Sequence, residues 1–102
     1  MDQSQTGKQD EEAWIGDAVL TLYARSLILQ EDLKVDGPKC VRMTSNQFLR
    51  TRGEPTKVEA ELGRLYQREG LEAAFRWIEA TLLPVFRKQE ENRTRKSPKR
   101  ND

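Results

Sequence analysis

From Asp10 to Gln30 apolar residues return every three or four positions, at Trp14, Ile15, Ala18, Val19, Leu22, Tyr23 and Leu27. That spacing predicts an amphipathic helix, and the stretch is too long for one strand. Asp10 is placed to cap it, and Glu11 and Glu12 suit the positive end of its dipole. Leu20, Ala24 and Ile28 widen the apolar arc, as in a helix that lies centrally or at a subunit contact. A second segment opens at Gly37-Pro38, with proline in the first turn. It carries Cys40, Val41, Thr44, Phe48 and Leu49, stops at Gly53, and presents Lys39, Arg42, Arg50 and Arg52 outward. A third runs from Pro55 to Gly70, a good terminating residue, with Val58, Leu62, Leu65 and Tyr66 inward. The fourth runs from Leu71 to about Lys88 with Ala74, Phe75, Trp77, Ile78, Leu82 and Phe86, and Pro84 should kink it or end it early. Strand alternation is missing throughout. The expected fold is all-α, a compact domain of about four main helices over residues 10–88.

The flanks read differently. Residues 1–9 are polar and are expected to form a mobile tail. Residues 89–102 are expected to form a disordered basic tail; from Arg87 to Asp102 seven cations stand against three acids. The chain has 102 residues, 35% hydrophobic and 34% charged, so it is polar for a globular domain. A monomer of this size buries roughly 60–65% of its unfolded surface, and a partner subunit would thicken its core. With 18 Lys+Arg against 17 Asp+Glu, bulk charge selects no class of partner. No apolar run approaches the roughly 18 residues of a membrane span. The acidic start resembles neither a signal nor a transit peptide. A lone cysteine, Cys40, makes the reducing cytoplasm the expected compartment.

With no His and one Cys, zinc, haem and His-based triads are excluded, and Cys40 has no His to activate it. Chemistry must come from carboxylates, hydroxyls, Lys/Arg, or a metal held by oxygen. Two carboxylates stand out. Asp17 follows Gly16 within Trp14-Ile15-Gly16-Asp17-Ala18-Val19-Leu20, the most apolar helix of the chain. An ionised carboxylate beside an apolar face needs a partner. Gly16, which costs about 1 kcal/mol relative to Ala inside a helix, suggests a close backbone contact. On periodicity alone Asp17 reads equally well as a solvent-facing acid. Glu59 lies in Val58-Glu59-Ala60-Glu61-Leu62-Gly63, with Gly63 one turn on along the same face. By itself it is an ordinary helix carboxylate. Together, carboxylates from distant helices suit a hard divalent cation such as Mg²⁺, which is often held by one or two carboxylates and several waters and serves phosphodiester cleavage.

The stretch from Ala13 to Arg25, centred on Gly16-Asp17-Ala18-Val19-Leu20, resembles the signature helix of the ribonuclease III catalytic domain. Thr56 to Tyr66 resembles that family's second catalytic helix, and Gly70-Leu71-Glu72-Ala73-Ala74 with Ile78-Glu79 its closing helix. Thr44-Ser45-Asn46 is similar to its middle helix. The resemblance spans residues 10–88. Where the family carries further acids, this chain has Ala13 and Thr56, as in the Mini-III branch, which lacks a double-stranded-RNA-binding domain. The stretch between Asp17 and Glu59 is markedly shorter than in that branch.

The resemblance implies a homodimer joined along the signature helix, with Trp14, Ile15 and Ala18 at the contact. It implies Asp17 and Glu59 as catalytic and metal ligands for Mg²⁺, with Mn²⁺ as a substitute. The implied activity is endonucleolytic cleavage of double-stranded or structured RNA, leaving 5′-phosphate and 3′-hydroxyl ends, with ribosomal RNA precursors as the substrate by analogy. Neither DNA nor a membrane is expected as a partner. Lys39, Arg42, Arg50, Arg52, Lys57, Arg64 and Arg68 are candidate phosphate contacts, or else ordinary solvated charges. Arg93, Arg95, Lys96, Lys99 and Arg100 either attract RNA nonspecifically or keep the chain soluble. The missing acids and short middle leave two alternatives open. One is a degenerate member that binds structured RNA or a ribonucleoprotein without cutting. The other is a small helical dimerisation module.

Overall fold

A computed structural model describes residues 3–96 of the chain. All its regular structure is helical: α1 (Gln3–Asp32), α2 (Gly37–Thr44), α3 (Asn46–Leu49), α4 (Pro55–Glu69), α5 (Leu71–Thr81) and α6 (Leu83–Lys96). Six elements replace the expected four because two segments break. The second breaks at Ser45, whose hydroxyl accepts the Phe48 N–H at 3.1 Å and restarts the chain as α3. The fourth breaks at Leu82, and Pro84 sits in the first turn of α6, where its missing N–H is tolerated.

Residues 3–9, expected as a mobile tail, continue α1, since no proline interrupts them. Residues 89–96, expected as the start of a disordered tail, continue α6, and Glu90 pins that helix to Arg42 through bonds of 2.8 and 3.0 Å. Residues 1–2 and 97–102, with Lys99 and Arg100, lie outside the described residues. No described helix is long and apolar enough to cross a membrane.

The 30-residue α1 is about 45 Å long and forms the spine, with α4 packed most extensively against it. Leu33, the residue after α1, takes a left-handed φ of 61°. The inward face of α1 carries Ala13, Val19, Leu20, Tyr23, Ala24 and Ile28. Leu20, Met43, Leu49, Leu62, Ile78 and Leu82 make the fully buried centre. Edge-on contacts of Tyr23 with Phe75 (5.0 Å) and of Phe48 with Phe86 (5.6 Å) close its ends.

Among the apolar residues of the predicted helices, Trp14 is 77%, Leu22 47% and Val41 64% exposed. Within α2, Met43 is fully buried and Val41, two residues earlier and so on nearly the opposite face, is exposed. Tyr66, expected in the core, is exposed at the end of α4. Capping fixes the helix starts. Asp36 accepts the Lys39 N–H and Glu54 accepts the Lys57 N–H, each at 3.0 Å. Gly70, at φ 97°, makes the turn from α4 to α5.

Candidate functional site: the α1/α4 crossing

Two glycines meet where α1 crosses α4. A Cβ on Gly16 would overlap the backbone carbonyl of Glu59, and a Cβ on Gly63 would overlap that of Glu12. Each would also stand about 3 Å from the other glycine's nitrogen (3.0 and 2.9 Å). The helices therefore touch backbone to backbone, which a side chain at either position forbids. Since residue 16 meets residue 59 while residue 12 meets residue 63, the helices run antiparallel.

That geometry carries Asp17 to Glu59. Burial first, then the charge and hydrogen-bonding effect of the neighbouring Asp17 carboxyl, and last the Glu54 charge push the Glu59 carboxyl up to about 7. Among the described residues neither Asp17 nor Glu59 takes part in an ion pair. Among the described residues, then, no cation is paired with these two acids. A divalent cation suits that vacancy of charge. Among the described residues no group of three or more His, Cys, Asp or Glu converges. Asp17 and Glu59 are the two carboxylates that this corner could offer such an ion.

The candidate phosphate contacts fall into three sets. Four are engaged by acids: Lys39 with Asp32 (2.9 Å), Arg42 with Glu90 (2.8 Å), Arg64 with Glu12 (3.1 Å) and Arg68 with Glu69 (3.6 Å). Arg52 lies over the Trp77 ring, 5.5 Å from its centroid. Arg50 and Lys57 are exposed and, among the described residues, in no ion pair. Lys57 stands two residues before Glu59.

Of the candidate contact residues, Trp14 and Ala18 are exposed, and Ile15 is half-buried against the core. Leu22 and Leu29 extend that outward row along α1. A groove of about 530 Å³ between α1 and α2 is lined by Ile28, Leu29, Val35, Cys40 and Val41 among others. It shares no residue with the acid pair.

Glu12, which the sequence suggests as a dipole-compensating acid, is buried and held by Arg64. The available signal was a repeated spacing, because Glu12 precedes Gly16 by the same four residues that separate Glu59 from Gly63. No protein-family model, no curated protein and no solved structure matches the chain.

Proposed function

We propose that this chain is a divalent-cation-dependent endoribonuclease of the ribonuclease III type, Mini-III-like, acting on double-stranded or structured RNA as a homodimer. The observation that carries it is the convergence of Asp17 and Glu59 across a glycine–glycine contact, with no cation paired with them among the described residues. A bound Mg²⁺ or Mn²⁺ supplies charge neutralisation and water activation for phosphodiester cleavage. Asp17 and Glu59 hold it. Glu59 must lose its proton first, which favours pH above about 7. Arg50 and Lys57, exposed and without acid partners among the described residues, are the cations best placed to meet RNA phosphates. The outward row Trp14, Ala18, Leu22 and Leu29 is apolar surface suited to a second copy.

A second reading, binding of structured RNA without cleavage, draws support from Ala13 and Thr56, which offer no carboxylate to the site. One experiment separates the two. The protein, Asp17→Asn and Glu59→Gln are each incubated with duplex RNA and Mg²⁺ at pH 8. Cleavage to 5′-phosphate ends by the protein and by neither variant is expected. Binding without cleavage selects the second reading. Cleavage that survives in both variants overturns the assignment of the acid pair.

A further inference from the structure

Among the described residues Glu12 is the buried charged residue. Its carboxylate accepts from Arg64 Nε at 3.4 Å and Nη2 at 3.1 Å, and the guanidinium itself is half exposed. A buried carboxylate in such a pair rarely stabilises a fold more than well-packed apolar side chains of similar volume would. What a pair of this kind can add is register, because its charges are satisfied at one setting of the two helices.

Its placement gives register a consequence. The backbone of Glu12 lies against Gly63, so the pair grips the α1/α4 crossing at one end. Asp17 and Glu59 stand at the other end of the same contact. Between the two ends the surfaces are glycine backbone, without the ridges and grooves by which side chains ordinarily lock two helices at one angle. A rotation or slide of α1 on α4 small enough to keep the glycines in contact would still separate the two carboxylates.

We infer that the Glu12–Arg64 pair positions the cation site, holding α1 and α4 at the rotation and offset where Asp17 and Glu59 converge. This role presupposes the cation site proposed above. It makes Glu12 and Arg64 positioning residues, and it removes Arg64 from the phosphate-contacting set.

The test measures Mn²⁺ binding to the full chain by electron paramagnetic resonance, with thermal unfolding alongside. Loss of binding in Asp17→Asn locates the ion. The double variant Glu12→Leu, Arg64→Leu leaves net charge unchanged. It is expected to melt within a few degrees of the wild-type chain while Mn²⁺ affinity falls about tenfold, the scale on which outer-shell partners act. The exchanged pair, Glu12→Arg with Arg64→Glu, should recover most of that loss. Undiminished affinity in the leucine variant overturns the positioning role alone. If that variant does not fold, the exchanged pair decides: wild-type affinity supports positioning and a folded protein without binding overturns it. Failure of both to fold marks the pair as purely structural, which also overturns it. Absence of Mn²⁺ binding in the wild-type chain overturns the cation site and the positioning role with it.

Discussion

At one end of the α1/α4 crossing a glutamate meets an arginine; at the other a glutamate meets an aspartate. The two ends arise from one sequence pattern used twice. In α1, Glu12 precedes Gly16 by four residues and Asp17 follows; in α4, Glu59 precedes Gly63 by four and Arg64 follows. Because the helices run antiparallel, each glutamate reaches the residue after the other helix's glycine. Glu12 thereby finds a cation at 3.1 Å, and Glu59 finds a second acid. A single difference in residue type makes one end a self-neutralised ion pair and the other a concentration of negative charge. Glu12 is buried, Glu59 half-buried and Asp17 exposed, so burial of a carboxylate does not by itself mark a site. The missing counter-charge does.

Both ends depend on the contact between them, so the largest effect is expected at the glycines. Gly16→Ala or Gly63→Ala places a methyl group on a backbone carbonyl of the other helix, and backbone cannot rotate away as a side chain can. Alanine recovers about 1 kcal/mol of helix propensity, but prying the helices apart should outweigh it and leave a net loss of about 3 kcal/mol. Urea unfolding measures it. A neutral or stabilising result at either glycine would mean that the helices do not touch there, and the contrast between the ends would lose its basis.

The next effect separates the ends. Arg64→Ala leaves the Glu12 carboxylate buried without its partner. Because Arg64 is half exposed and water can reach part of the gap, the expected loss is about 2 kcal/mol rather than the larger value of a fully buried pair. Lys57→Ala, which removes an exposed cation with no acid partner among the described residues, should change stability by less than about 0.5 kcal/mol. Equal losses in the two variants, measured by the same unfolding experiment, would show that Glu12 is not held as described.

Those two cations also show where the sequence was readable. The helices centred on Val19, Leu62 and Ile78 were legible because long 3.6-residue periodicity is a strong signal. The close approach at Gly16 was legible because a glycine inside a helix is costly and implies a contact. The partner of Arg64 was not, since Glu12 lies 52 residues away and helical spacing reports only which neighbours share a face. The outward placing of Trp14 and Leu22 was not legible for a related reason. α1 has two apolar arcs, and periodicity cannot tell an arc that faces the core from one that faces outward. At Ser45 a local competitor won, its hydroxyl capping Phe48 and splitting the predicted second helix into α2 and α3.

A more modest effect than the loss of Arg64 is the dependence of stability on pH that the acid–acid end imposes. In the folded chain Glu59 holds its proton up to about pH 7, against an ordinary 4.5 when unfolded. Between those values the unfolded chain has released a proton that the folded chain keeps, so stability falls as pH rises from about 4.5 to 7 and then levels off. Glu59 is partly open to solvent, and screening reduces the drop to on the order of 1–2 kcal/mol. Urea midpoints at pH 5 and pH 8 read it directly, and Glu59→Gln should bring the two midpoints together. Mn²⁺ adds to the comparison, because a cation that needs both carboxylates ionised competes with the proton. It should restore stability at pH 8 and do little at pH 5. A midpoint that rises from pH 5 to pH 8 in metal-free protein, and that Glu59→Gln leaves unchanged, would show that Asp17 and Glu59 do not share this corner of the crossing.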